Sequence, residues 1–306
     1  MRKRADGNFC GIVNIHKEKG FTSHDVINVV RRITKCKAGH TGTLDPNATG
    51  VLPVCLGRAT KIADYIMAYD KEYIAQVIFG SSTNTQDITG EVIAVSDALP
   101  IQDISIIEDS LRDLTGDITQ IPPKFSAIKV GGKKLYEYAR NGVDVEIKAR
   151  NITIHHISIV QANLPGSVTI KVGCSKGTYI RTLCADLGEK IGNLAHMGDL
   201  VRTKSGRFSL KDSINLEQLE KYANEGKLGD VITPIEVALA HMPKIEIDKR
   251  AEKWLINGNK IPNYFVKGLE VIADEYLAFD ASGSLAGIYT HIDDFIKPKV
   301  MLYTRG

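Results

Sequence analysis

From Lys71 to Phe79 the chain alternates without a break: Tyr73, Ala75, Val77 and Phe79 share one face, Glu72, Ile74, Gln76 and Ile78 the other. Period-two spacing of this kind predicts a strand with one buried face. Cys10 to His16 and the short apolar run Val51 to Leu56 predict two more strands. Val26, Val29, Val30 and Ile33 fall at i, i+3, i+4 and i+7 and predict a helix with one apolar face. Thr22 or Ser23 caps it, with Asp25 in its first turn. Helices are also predicted over Arg58 to Tyr69 and Ser105 to Leu114, the second stopped by Gly116. Glu91 to Val95 reads as the returning strand of a hairpin. Ile152 to Val160 and Ser167 to Cys174 predict strands joined at Leu164-Pro165-Gly166. Ile180, Leu183, Cys184, Leu187 and Ile191 then keep helical spacing, so a helix starts near Thr178.

Leu216 to Tyr222 and Pro234 to Leu239 read as short helices, after which the pattern changes. Short strands with frequent turns follow: Lys244 to Ile247, Val271 to Ala273, Tyr276 to Phe279, Leu285 to Tyr289 and Val300 to Tyr303. Trp254 lies on a short amphipathic helix, Ala251 to Ile256, among them. The pattern divides the chain into residues 1–242 and a small β-rich module, 243–306, too small for chemistry of its own.

Composition narrows the class. With 43% apolar residues in 306, the chain can bury a sizeable core, and the composition is not a disordered one. A net charge of +3 is compatible with a nucleic-acid partner without requiring one. The five cysteines are scattered, odd in number and without a C-x-x-C pair, which points to reduced thiols in the cytoplasm rather than disulfides or a zinc site. Met-Arg-Lys-Arg opens the chain with no apolar stretch behind it, so no signal peptide is read, and no run approaches a membrane span. Arg2, Lys3 and Arg4 read as a solvated end, with an RNA-touching arm as the alternative.

The densest chemical signal is Gly39 to Gly50, Gly-His-Thr-Gly-Thr-Leu-Asp-Pro-Asn-Ala-Thr-Gly. Its three glycines and proline exclude a regular helix or central strand, so it is an ordered loop. Asp45 precedes Pro46, which biases its backbone toward extended geometry. A carboxylate so held suits a nucleophile or a charge stabiliser; alternatively Asp45 caps its own turn. Gln120 to Arg150 carries a surplus of four positive charges: Lys124, Lys129, Lys133, Lys134, Arg140, Lys148 and Arg150 against Glu137, Asp144 and Glu146. Phe125, Tyr136 and Tyr138 are interleaved. Cations with aromatics suit a single-stranded or loop RNA, by phosphate neutralisation and base stacking; a solvated surface insert is the other reading. Arg181 falls in the first turn of its helix, where a cation opposes the dipole, so a carboxylate or phosphate should hold it there.

These stretches resemble the TruB-type tRNA pseudouridine-55 synthases. Gly39 to Gly50 is similar to that family's Gly-His-x-Gly-Thr-Leu-Asp-Pro-x-Ala-x-Gly signature, and Lys71-Glu72-Tyr73 to the strand carrying its active-site tyrosine. Gln120 to Arg140 resembles its RNA-gripping insert, Cys174 to Arg181 its Cys-Ser-x-Gly-Thr-Tyr-Ile-Arg motif, and the tail a degenerate PUA domain. Asn47, Phe125 and Val201 depart from the commoner Leu, Tyr and Arg. Phe125 removes a hydroxyl contact and Val201 one phosphate partner.

The resemblance implies an α+β fold: a catalytic domain with a mixed, mostly antiparallel central sheet flanked by helices, an RNA-gripping insert near 120–150, and a small C-terminal PUA-like domain. It implies isomerisation of uridine-55 in the T-arm loop of tRNA, with no metal or organic cofactor, no obligate protein partner and a monomeric enzyme. It assigns catalysis to Asp45, Tyr73 and Arg181, and substrate binding to His40, Tyr73, Tyr179 and Leu200. Lys124, Lys129, Lys133, Lys134, Arg140 and Arg202 are expected to bind RNA. Arg181 is expected to hold Asp45 ionised in a water-excluding site. Attack at C1′, attack at C6 and removal of a sugar proton all remain open to Asp45. Rival readings are a non-catalytic RNA-binding protein, an RNA-guided synthase and a nucleosidase with Asp87 as an outlying second acid. A phosphate-binding loop is excluded because no Gly-Lys-Ser/Thr follows the glycines.

Overall fold

In the computed structural model, which describes residues 9–98 and 100–303, two large sheets and two short two-stranded ribbons share the chain. The basic start Arg2, Lys3 and Arg4 lies outside the described residues. The first elements are β1 (Gly11–Lys17), α1 (Ser23–Thr34), β2 (Ala38–His40), β3 (Thr49–Leu56), α2 (Ala63–Met67) and β4 (Lys71–Phe79). Next come β5 (Ser81–Thr83), β6 (Val92–Val95), α3 (Ile104–Asp113), β7 (Gly116–Gln120), β8 (Lys129–Val130), β9 (Lys133–Lys134) and α4 (Leu135–Arg140). The first part closes with β10 (Arg150–Asn163), β11 (Ser167–Cys174), α5 (Ile180–Lys190), β12 (Ala195–Ser205), β13 (Phe208–Ser209), α6 (Leu216–Asn224), β14 (Ile232–Thr233) and α7 (Ile235–Ala238). The tail contains β15 (Lys244–Ile247), α8 (Glu252–Ile256), β16 (Ile261–Pro262), β17 (Val266–Lys267), β18 (Glu275–Phe279), β19 (Leu285–Ile292) and β20 (Phe295–Met301).

The larger sheet runs β14-β1-β3-β12-β4-β11-β10-β7, with β2 on β3 and β13 on β12. Among the described residues β3 and β12 pair in parallel, and the other pairings are antiparallel. This is the mixed, mostly antiparallel sheet of the α+β expectation. One face, carrying Val13, Ile15, Leu52, Val54, Ala75, Val77 and Leu200, packs against α1, α3 and α5. The reverse face of β1 and β3, carrying Ile12, Val51 and Cys55, packs with Ile62 and Ile66 against Leu277, Ile288 and Leu302 of the tail. The tail is a six-stranded PUA-like sheet in the order β16-β20-β19-β18-β15-β17. Arg58 donates to the Leu302 carbonyl and Lys61 to that of Met301 across this junction.

Local chemistry explains most elements. Thr22 caps α1 in a reciprocal box with Asp25, each side chain bonding the other's backbone N–H. β4 buries its alternate positions as its sequence demands. Several elements differ from the expectation. The buried face of α1 uses Ile27 and Thr34 beside Val26 and Val30, rather than Val29. Arg58 to Tyr69 divides into a 3-10 turn over Gly57–Ile62 followed by the short α2. β6 pairs with β5 and not with β4, because β4 is already flanked on both edges by β11 and β12. Val271 to Ala273 forms no strand; the Tyr276 hydroxyl caps it by donating to the Val271 carbonyl and accepting from Ala273 N–H. The sequence pattern missed β12 altogether, although it lies in the middle of the sheet. Register shifts at Met197/Leu200 and Arg202/Lys204 break its alternation, and it buries His196, Arg202 and Ser205, so no period-two apolar signal survives.

Candidate active site

The loop between β2 and β3 is fastened at every few residues. Leu44 and Ala48 are buried in the core beneath it. Ser23 Oγ accepts from Leu44 N–H (2.9 Å) and donates to the Leu44 carbonyl (3.1 Å). Lys17 Nζ (3.0 Å) and Gly20 N–H (2.9 Å) both donate to the Pro46 carbonyl. Ala48 N–H closes a turn onto the Asp45 carbonyl at 3.1 Å. The Asp45 backbone therefore helps build the turn, while its carboxylate points elsewhere.

That carboxylate meets Arg181. Nε lies 3.0 Å from Oδ2 and Nη2 3.4 Å from Oδ1, a two-pronged contact. The Arg181 side chain is 7% exposed and sits one residue into α5, whose N-cap Tyr179 supplies no side-chain cap. Its other donors reach the Thr85 carbonyl (3.1 Å) and the Phe125 carbonyl (3.0 Å). Asp87 Oδ2 stands 3.8 Å from Nε, so two carboxylates share one guanidinium at the positive end of the helix. Asp87 is itself fixed by Thr85 Oγ1 (2.8 Å) and by Thr89 N–H (2.9 Å) and Oγ1 (2.6 Å).

The electrostatics of the pair pull in two directions. Burial pushes the Asp45 carboxyl above the usual range; Arg181 pulls it down, Asp87 pushes it up again, and burial prevails. Nor is the site dry, since 38% of the Asp45 side chain is open to solvent. The loop walls strip water from the carboxylate without sealing it off.

Tyr73 is buried on β4 on the face that carries the loop, and burial raises its phenol while Arg202 lowers it. Leu200 is buried on β12, directly across from Ala75 of β4. Tyr179 is partly buried at the start of α5, and Gln120 holds its backbone, accepting from its N–H (2.8 Å) and donating to its carbonyl (3.1 Å). His40 ends β2, and its Nδ1 lies 3.4 Å from Gly42 N–H. Burial and the Arg202 charge both lower its proton affinity, which favours the neutral ring.

The insert presents β8, β9 and α4. Lys129, Lys133 and Arg140 are exposed. Lys124 is exposed and paired with Asp144, and Lys134 lies over the Tyr136 ring at 5.4 Å. Arg202, expected among the RNA contacts, is 1% exposed and donates to main-chain carbonyls inside the sheet, so it is no surface contact. Its place on the unassigned β12 hid this.

Sequence reasoning missed three parts of the constellation. Asp87 was weighed only as a second acid for hydrolysis, and nothing local linked it to Arg181. Lys17 ends β1 with no exposed surface, its ammonium lowered to about 8 by burial. An apolar alternation ending on a lysine was the available signal. Gln120 carried none, because its partner is 59 residues away.

Residues 31–180 match the model of the TruB family pseudouridylate synthase N-terminal domain, and residues 181–240 that of the tRNA pseudouridylate synthase B C-terminal domain. The six-stranded tail lies beyond both. A tRNA pseudouridine synthase B of Geobacillus thermodenitrificans is 48% identical over 250 residues, covering 79% of this chain and 83% of that protein. One of Bacillus pumilus is 45% identical over 287 residues, covering 91% and 92%. Among solved structures, a chain in a crystal structure of a Cbf5-Nop10-Gar1 complex matches with TM-score 0.70 at 26% identity, over 97% of this chain and 82% of that one.

Proposed function

The chain belongs to the TruB family of pseudouridylate synthases, and from that premise we propose that it converts uridine-55 in the T-arm loop of tRNA to pseudouridine. The observation that carries this reading is the Asp45–Arg181 pair on the glycine-rich loop, at 3.0 Å. Pseudouridine formation breaks the bond from uracil N1 to ribose C1′, turns the ring and joins C5 to C1′. C5 loses a proton and N1 gains one, so atoms and electrons balance without a redox partner.

Asp45 supplies the negative charge that this chemistry needs, as a nucleophile or as a partner for the sugar cation. Arg181 opposes the protonation that burial favours. Tyr73 packs against the flipped base and assists proton removal from C5. Tyr179 and Leu200 wall the base, and His40 props the nucleotide out of its loop. Flipping costs a few kcal/mol, which contacts from Lys124, Lys129, Lys133, Lys134 and Arg140 offset. RNA seated over the opening would also cover the exposed edge of Asp45.

In this reading residues 1–242 are the catalytic unit, the segment near 120–150 grips the T-arm and residues 243–306 add RNA contacts. The enzyme works as a cytoplasmic monomer without an obligate protein partner. The test is to treat an unmodified tRNA transcript with the purified chain, adding neither metal nor nucleotide, and to map pseudouridine. Product at position 55 alone supports the reading. No product, product elsewhere, or an absolute need for either additive overturns it.

A further inference from the structure

Arg202 sits in a row of residues that crosses four strands. Lys17 of β1 faces Gly50 of β3, Gly50 faces Arg202 of β12, and Arg202 faces Tyr73 of β4. All four lie on the sheet face beneath the Gly39–Gly50 loop, in step with Ile15, Leu52, Leu200 and Ala75. Gly50 has no side chain, and a Cβ there would run into the Arg202 backbone. Nε donates to the Val51 carbonyl at 2.7 Å and Nη2 to the Gly42 carbonyl at 3.1 Å. Arg202 and Tyr73 stand directly opposite each other on β12 and β4, close enough that the Arg202 charge works against the raising of the buried phenol. One rigid planar cation thus ties the start of the Asp45 loop to the strand after it, on the residue that faces the tyrosine of the adjoining strand.

We propose that Arg202 is a positioning residue of the isomerisation: it fixes the spacing between the loop that carries Asp45 and the hydroxyl of Tyr73. This rests on the proposed function and adds a residue that touches neither RNA nor base. The physical case is geometric. Asp45 and Tyr73 lie on elements that are not sheet neighbours, since β12 intervenes between β3 and β4. Their relative placement needs a group that spans that strand, and Arg202 is that group. A lysine amine would keep the charge but lacks the planar fork that meets both carbonyls together. Lys17 and Lys71, both buried, lie close enough that the Arg202 charge adds to the lowering of each, while Arg202 itself is held by two main-chain carbonyls.

The experiment uses the full chain and unmodified tRNA, with single-turnover pseudouridine formation and tRNA affinity measured side by side. The variants are Arg202→Met, Arg202→Lys, Tyr73→Phe and the Arg202→Met/Tyr73→Phe pair. Arg202→Met is expected to slow the single turnover about 100-fold, the cost of a displacement near 1 Å, while tRNA affinity changes less than about threefold. Arg202→Lys is expected to recover part of the rate. Because Arg202 acts through the Tyr73 hydroxyl, its loss should cost much less in the Tyr73→Phe background than in the unsubstituted chain. Affinity falling about tenfold or more with the rate at saturating tRNA unchanged would make Arg202 an RNA contact and overturn the proposal. Full multiplication of the two single effects would overturn it as well. If Arg202→Met does not fold, Arg202→Lys, alone and paired with Tyr73→Phe, carries the same comparison. An unsubstituted chain that makes no pseudouridine refutes the proposed function itself, a result distinct from an active chain indifferent to residue 202.

Discussion

In the proposed reaction Asp45 acts as the anion, while its burial raises the carboxyl above the usual range. The acid limb of activity should therefore lie above the ordinary carboxylate range, since rate is lost as pH falls through a raised pKa. Replacing Arg181 by Met removes the group that opposes burial, so the limb of the residual activity should move to still higher pH; rate profiles on unmodified tRNA check both. For stability the sign runs the other way. A carboxyl raised in the fold contributes stability that is present below its unfolded pKa and lost as pH rises through the folded one. Asp45→Asn should then be inactive, by on the order of 10⁴-fold, yet melt no lower than the parent at pH 7. Calorimetry beside the activity assay decides this. The loop motif made Asp45 and Arg181 legible, because glycine, proline and a first-turn cation are local signals. Asp87 was not legible as their companion, since its link to Arg181 exists only in three dimensions.

At the scale of elements, the parallel contact of β3 and β12 depends on a missing side chain. Gly50 has φ +104°, and a Cβ there would sit on the Arg202 carbonyl oxygen. Gly50→Ala should cost about 2–4 kcal/mol in a denaturant titration, from a strained backbone and a forced strand separation. A change under about 0.5 kcal/mol would mean that the strands part freely. The insert offers a different test. Reversing Lys124, Lys129 and Lys133 to Glu should weaken tRNA binding and flatten its dependence on salt, because fewer counterions are released. Binding that keeps both its affinity and its slope would return these lysines to a solvated surface. Regular alternation exposed β4 to sequence reading, and capping residues exposed α1. β12 stayed hidden because its bulges and buried polar side chains erase the period that such reading needs.

The whole molecule buries an unusual set of titratable groups. Lys17 and Lys71 are both lowered to about 8 by burial. Burial raises Cys174 to about 11, Cys55 to about 12 and Cys184 well above its ordinary value. From pH 8 to 9 the unfolded chain keeps lysine protons that the folded one sheds, so stability should rise, on the order of 1 kcal/mol after the thiols are counted. Above pH 9 the unfolded thiols ionise while the buried ones do not, and stability should fall. Urea unfolding across pH 7 to 11 should show a crest near 9; a monotonic fall from pH 8 would show that the lysines do not titrate inside the fold. The change of pattern after Pro243 coincides with the start of the six-stranded sheet at Lys244, but the way that sheet meets the larger one was not legible. Their shared apolar layer joins Ile12, Val51 and Cys55 to residues more than 200 positions away.

That shared layer has a consequence for how this enzyme can change. β3 is a party wall: Leu52 and Val54 furnish the room holding the carboxylate, Val51 and Cys55 the one next door. The loop that carries Asp45 enters this wall three residues after Pro46. A substitution that refits the tail against the wall shifts the footing of the loop, and one that refits the loop disturbs the tail. The two halves are neighbours that must renovate together, so a tail transplanted from a relative should bring its own β3 with it.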